Sequence, residues 1–567
     1  MEYEAFKELS SVALRQKKAD LVLKNARVMN VFTGEILEND VAVKDGFIAA
    51  VGKDYEGKEE VDLKGNYVLP GFMDAHLHLE STMVTPNELV TTAAACGTTT
   101  FIADPHEAAN VSGPAGIDYI LDQTKDSPAN VYVMVPSCVP ATSFDDNGYT
   151  LTAEAMKPYL ANPRILGLGE VMDDPGVVGG DPILHEKLEL FADKVLDGHA
   201  PYLPDEELTA YAAAGIHTDH EASSYEYALE EVRRGIHVHI REGSAAHNLD
   251  DIVKGIVRDG IPTDNFSFCT DDKHIEDILS QGHISYNVRR AVELGIKPAD
   301  AVRMATLNTA RCYGLNHLGA VSAGYQADLV ITDSLETFRI LDVYHKGVRI
   351  DPEAKPEIRT CPEELKHTVH LDEVGEEAFC LPITKEEGTV IQLDAAQITT
   401  KRVQTALEKT ENYIPAGGLN KIAAVERHKG TGLIGVGICS GYGIRGGAVA
   451  SSVSHDSHNI IVVGDNDRDM ALAVNAIRES QGGYSLVCDG EVYETLPLSV
   501  MGLMSDEGFE NVNEKLGRMI EKAHSLGIPK DIEPFITLSF LALPVIPEIR
   551  VTPRGVLDTV KFEFVEY

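Results

Sequence analysis

"MDAHLHLESTMV", Met73–Val84, places His76 and His78 one residue apart in an apolar run, with Glu80 close behind. The run follows "YVLPG", Tyr67–Gly71. On a strand, residues i and i+2 point to the same face, so the two imidazoles project together. Pro70 and Gly71 let the chain enter such a strand tightly. A lone strand histidine is more often a hydrogen-bonded core or surface residue. A same-face pair becomes a metal-ligand pair when other ligand-type residues converge on it.

Such residues recur downstream. Between about 70 and 320 the sequence alternates short apolar runs with helix-like segments. The runs are "VLPGFMDAHLH", "GTTTFIADPH", "NVYVMVPSC", "RILGLGEVM", "KVLDGHAP", "GIHTDHEA", "GIHVHIREG" and "NFSFCTDD". Eight βα units in about 250 residues fit a TIM-like (β/α)8 barrel. In barrels of this kind the active-site groups sit at the C-terminal ends of the strands. The run endings supply His76 and His78, Asp104 and His106, Glu170, His199, His220 with Glu221, Glu242, and Asp271 with Asp272. Chance accounts for one or two such endings and poorly for seven. A single-metal site needs about three protein ligands and an open position. Four His, one Glu and one Asp suit two metals with a bridging carboxylate. Nitrogen and oxygen ligands without thiolate fit Mn(II), Fe(II) or Zn(II).

The flanks read differently. Residues 20–69 mix β-branched runs with Asn-Gly-Asp punctuation, and the same texture returns at Ala323–Ile350. This predicts a small β domain built from 1–69 and 321–355, on both sides of a barrel at 70–320. Residues 356–567 read as a separate C-terminal α/β domain. Within it, "GYGIRGG", Gly441–Gly447, lacks the spacing of a dinucleotide or phosphate loop. "SHDSHN", Ser454–Asn459, crowds polar groups just before an apolar strand. It is read as a polar turn, a cover for the barrel mouth, or a further metal site.

Composition bounds the function. The chain has 567 residues, enough for several domains, and 44% of them are apolar. With 89 acidic and 49 Lys/Arg residues the net charge is −40, which repels polyanions and argues against nucleic acid or an anionic membrane as partner. No apolar run approaches the roughly 20 residues a membrane span needs. The charged N-terminus, "MEYEAFKELSSVALRQKKAD", lacks a signal-peptide core, so the expected location is cytoplasmic. Eight scattered cysteines without C-x-x-C argue against a zinc ribbon or a disulfide framework.

These motifs resemble the amidohydrolase superfamily. "PGFMDAHLHLESTMVTP", "DPHEAANVSG", "GLGEVMDDPGVV", "DGHAP", "TDHEA", "REGSAAHN", "CTDDKH" and "SVSHDSHNIIVVG" are similar, in order, to the bacterial and archaeal adenine deaminases. The resemblance implies a metal-dependent barrel with His76, His78, Glu170, His199, His220 and Asp271 as ligands. Hydantoinases and dihydroorotases bridge their metals with a modified Lys after strand 4. Glu170 stands there instead, which weakens a cyclic-amidase reading. The resemblance further implies conversion of free adenine and water to hypoxanthine and ammonia, with Asp271 as base. Glu242 is the first candidate to protonate N1 and Glu221 the second, with Glu80 and Glu107 open. Asp104, His106, Ser244 and His247 are expected to shape the purine pocket. A homodimer or higher homo-oligomer is expected from the family. The rivals are another amidohydrolase, either a cyclic amidase or a different aminopurine deaminase, and a non-catalytic scaffold.

Overall fold

The computed structural model describes residues 2–244, 246–356, 359–393 and 399–567. Eight parallel strands form its middle: β1 (Phe72–Leu77), β2 (Thr98–Ala103), β3 (Asn130–Val135), β4 (Ile165–Val171), β5 (Val195–Gly198), β6 (Thr218–Asp219), β7 (His237–Arg241) and β8 (Phe266–Cys269). Each falls within one of the eight apolar runs. Residues of β1 and β2 are buried throughout, the pattern of a parallel sheet covered on both faces.

The strands make two ladders, β1 to β5 and β6 to β8. A parallel bridge between Leu77 and Asp271 joins the two on one side. There Asp271 N–H donates to His76 O and His78 N–H to Asp271 O, both at 3.0 Å. On the other side His217 N–H donates to Leu196 O at 2.9 Å. Helices cross between strands. Leu249–Asp259 buries Leu249, Ile252, Val253 and Ile256, a spacing of three and four that lines one side of a helix.

Entry to β1 depends on Gly71. A Cβ there would lie 2.0 Å from Thr99 Oγ1, so only glycine lets β1 and β2 approach. Just before it, Tyr67–Pro70 pairs antiparallel with Leu329–Thr332. One sheet thus takes strands from before and after the parallel set, including Ala19–Met29, Ile36–Lys44, Phe47–Gly52 and Ile340–His345.

The C-terminal segment carries a second eight-stranded sheet. Its pairings are antiparallel except for Glu387–Leu393 beside Ile434–Ser440. The helix Asp467–Ser480 covers it with Met470, Ala473, Val474 and Ile477, after an Asn466 cap that accepts from Asp469 N–H. This segment docks on the C-terminal ends of the parallel strands. Ser505 N–H donates to Met83 O at 2.9 Å, Phe509 N–H to Glu88 Oε1 at 2.8 Å, and Arg554 grips both oxygens of Asp146. Among the described residues no helix is long and apolar enough to cross a membrane.

Candidate metal centre

β1 presents His76 and His78 on one face, as its two-residue period requires. Each ring is oriented by its far nitrogen. His76 Nδ1 donates to Asp197 Oδ2 at 3.0 Å, and His78 Nδ1 to the backbone carbonyl of Asp104 at 2.8 Å. A carboxylate and a carbonyl only accept, so each Nδ1 carries a proton, and Nε2 is the nitrogen each ring has left for a metal once it is neutral. The two Nε2 atoms face each other at 3.3 Å. Glu170 Oε1 lies 3.1 Å from one and 2.9 Å from the other, and Asp271 Oδ1 lies 3.1 Å from His78 Nε2. Glu170 Oε1 is buried without a hydrogen bond. Two ring nitrogens and two carboxylate oxygens converging in a buried space need positive charge among them, from protons on the rings or from a metal ion in their place. The donor set fits a divalent metal.

The other oxygen of Glu170 faces a second group. Oε2 lies 2.9 Å from His199 Nδ1 and 3.7 Å from His220 Nε2. Within each group the ligand atoms lie within 4.8 Å of one another. Glu170 is therefore shared by two ligand sets.

Backbone details position this residue. Glu170 N–H donates to Asp104 Oδ2 at 2.8 Å. A Cβ at residue 169 would come within 2.2 Å of that oxygen, so Gly169 makes the approach possible. Asp271 adopts φ +60°, in the left-handed region rarely used by residues with a side chain. The two β1 hydrogen bonds described above hold it there. Such over-determined strain is typical of functional positions.

The charges are mutually stabilised. Burial opposes protonation of His76, but its hydrogen bonds with Asp197, Asp271 and Glu170 outweigh it and hold the pKa well above the usual value. Burial raises the carboxyl pKa of Asp271. The Arg241 guanidinium and the imidazoles of His76 and His78 reverse this and hold it well below the usual range. Arg241 donates from Nη1 to Asp271 Oδ2 at 3.0 Å, and also grips Glu221 through both terminal nitrogens.

The remaining sequence candidates are distributed unevenly. Asp104 and His106 group with Glu170, and His106 Nδ1 lies 3.6 Å from Glu170 Oε1. Glu221 is held by Arg241. Glu242 accepts from His247 Nδ1 at 2.9 Å, and the His247 side chain is 61% exposed. Ser244 is turned toward Asp277, donating to Oδ2 at 2.5 Å. Glu80 fixes the start of the next segment by accepting from Ala108 N–H. Two groups central to the geometry, Asp197 and Arg241, open the motifs "DGHAP" and "REGSAAHN" but take no role from the sequence. Asp197 lies two residues before His199 and Arg241 one before Glu242, so their place in those motifs is the available signal.

Residues 67–370 match the amidohydrolase family, and residues 397–563 the adenine deaminase C-terminal domain. The chain is 54% identical to an adenine deaminase of Desulfitobacterium hafniense (strain Y51) over 562 residues, 99% of each chain. The chain belongs to the adenine deaminase family. A second family member, from Clostridium acetobutylicum, is 44% identical over 97% of this chain and 98% of its own. A crystal structure of an adenine deaminase superposes with a TM-score of 0.46 at 19% identity, covering 59% of this chain and all of the other.

Proposed function

We propose that this protein hydrolyses adenine to hypoxanthine and ammonia at a two-metal centre. The observation that carries the reading is Glu170, whose two oxygens face two histidine pairs in a chain related to adenine deaminases over nearly its full length. His76, His78, Asp271 and Glu170 Oε1 would hold one divalent ion, and His199, His220 and Glu170 Oε2 the other. When bound, such ions bring the pKa of water from 15.7 toward about 7, which supplies a nucleophile at neutral pH.

The protein's own groups handle the protons. Asp271 is kept ionised by Arg241 and the neighbouring imidazoles, so it can take the proton of the attacking water and pass it to the leaving amine. Attack at C6 places charge on N1, which needs an acid. Glu221 already accepts the Arg241 guanidinium through both oxygens. Glu242, which accepts from His247 Nδ1 and Leu249 N–H rather than from a guanidinium, is kept as the first candidate for the N1 acid and Glu221 as the second. Asp104 and His106 line the side nearest Glu170, while Ser244 and His247 belong to the loop that carries Glu242.

With this reading go a closed (β/α)8 barrel at 70–320, a small β domain of 1–69 with 321–355, and a C-terminal domain at 356–567. Mn(II) or Fe(II) is preferred over Zn(II), and the enzyme is a cytoplasmic homodimer or higher homo-oligomer in purine salvage.

The test supplies the metal-stripped protein with Mn(II), Fe(II) or Zn(II) in turn, counts bound metal, and follows adenine, hypoxanthine and ammonia. Turnover with about two ions per chain is expected. Full loading without turnover of adenine would reject the substrate and send the protein to a panel of other aminopurines and cyclic amides.

A further inference from the structure

The loop Ser454–Asn459 reaches from the C-terminal sheet to the strand ends. Glu107, beside His106, accepts from His455 Nδ1 through one oxygen and from His458 Nε2 through the other. Three ligand-type side chains thus meet outside the two-metal cluster. Their protons show that His458 is no metal ligand. Ser454 N–H donates to His458 Nδ1 at 3.1 Å, so that nitrogen carries the lone pair and Nε2 carries the proton given to Glu107. The triad is a clasp. Three more bonds fasten the loop: Arg427 Nε–H to His458 O, His428 Nε2–H to Ser457 O at 2.6 Å, and Asn459 Nδ2–H to Asp146 O at 2.8 Å.

The clasp delivers Asp456. This residue is 3% exposed, yet its Oδ2 has no hydrogen-bond partner. Its Oδ1 lies 3.8 Å from His106 Nε2, too far for a hydrogen bond. The opposite nitrogen of the same ring faces Glu170 Oε1. Asp456 therefore sits one imidazole away from the carboxylate shared by the two ligand sets. Beside it lies a small apolar cluster of Cys138, Ala141 and Met172, with Val545 packed on it, separate from the main cores. Burial first, and then the Asp456 charge, hold the Cys138 thiol well above its usual pKa, in keeping with that closeness. A buried carboxylate oxygen without a partner is costly and calls for a ligand. An apolar cluster beside one such acceptor suits a heterocycle that carries a ring N–H.

We propose that Asp456, supplied by the C-terminal segment, accepts the imidazole-ring N–H of the free purine and so selects the free base over its nucleosides. The inference rests on the adenine reading above. In a nucleoside that proton has been replaced by the sugar, and the buried acceptor is left unpaired. A site built to hydrogen-bond one group rejects analogues that lack it.

The test uses the full-length, metal-loaded enzyme and two ligands that are not deaminated, hypoxanthine and 9-methylhypoxanthine. The second lacks any imidazole N–H. Inhibition constants against adenine turnover are measured for the wild type, Asp456→Ala and Asp456→Asn, with metal per chain as a control. In Asp456→Ala the constant for hypoxanthine should rise about 10- to 100-fold, while that for 9-methylhypoxanthine changes little, so their ratio collapses. Asp456→Asn keeps the shape and an uncharged acceptor. It should give a smaller shift in the same direction, and it decides the matter if the alanine variant does not fold. Equal weakening of both ligands, or an unchanged ratio, overturns the proposal and leaves adenine deamination standing. A wild type that binds two metals but does not turn over adenine overturns both.

Discussion

Replacing Asp197 by Ala separates a built metal site from a merely polar core. Asp197 is fully buried, with Oδ2 on His76 Nδ1 at 3.0 Å and Oδ1 on the Thr218 hydroxyl. Of the ligand residues it bonds His76. Its removal has two effects of different origin. The His76 Nδ1–H loses its acceptor in a buried site, which costs the fold about 1–3 kcal/mol. The ring also loses the bond that sets its tautomer and direction, and such losses weaken metal binding by about 10- to 100-fold. That is about 1.4–2.7 kcal/mol of affinity. The two are measured apart: denaturant unfolding of the metal-free protein gives the first, and metal retained across a graded chelator series gives the second. The ion between His76 and His78 should leave first, and a species with about one ion per chain should appear at intermediate chelator. Asp197→Asn can still accept from Nδ1–H without the charge, and should lose no more than about tenfold. If Asp197→Ala releases metal along the wild-type curve, the hydrogen bond orients no ligand, and the assignment of His76 falls with it.

Two further outcomes follow from other groups. Glu170→Gln removes the charge that both ligand sets share, so bound metal should fall from about two ions per chain to at most one, and adenine turnover by more than about 100-fold; full occupancy by elemental analysis would end the bridging assignment. Burial raises the Glu533 carboxyl to about 7 against the acceptance of Ile536 and Phe535 N–H. The folded chain then binds more protons than the unfolded one between about pH 4.5 and 7, so stability falls as pH rises through that window, by about 3–4 kcal/mol at most. Glu533→Gln should flatten this loss in denaturant titrations at pH 5 and pH 8, and an unchanged difference between the two would refute it.

Much of the barrel region can be read without coordinates because its signals are local. A two-residue period brings His76 and His78 to one face within a single strand. Ligand-type residues end successive apolar runs, and parallel strands aligned by crossover helices bring those ends together. Every one of the eight runs contains one of the parallel strands. The texture of short strands and turns likewise recurs on both sides, and the two sides do meet, where Tyr67–Pro70 pairs with Leu329–Thr332.

Other features depend on residues distant in sequence. Nothing near Asp197 states that its carboxylate will orient His76, 121 positions away. Arg241 takes no role from the sequence alone, and the fold places it between Glu221 and Asp271. Glu170 offers one carboxylate in sequence, and only the fold brings different histidine pairs to its two oxygens. The Ser454–Asn459 stretch is ambiguous as a string, because a polar turn and a cover for the site share the same composition. Its role emerges from His455 meeting Glu107 across 348 positions, and from a backbone N–H that fixes the proton on His458. Periodicity and residue type are properties of a few neighbouring residues, and the sequence by itself determined the strand faces, the residue types at the strand ends and the family. Which oxygen faces which nitrogen, and where each proton rests, are properties of groups far apart along the chain, and packing alone decided them.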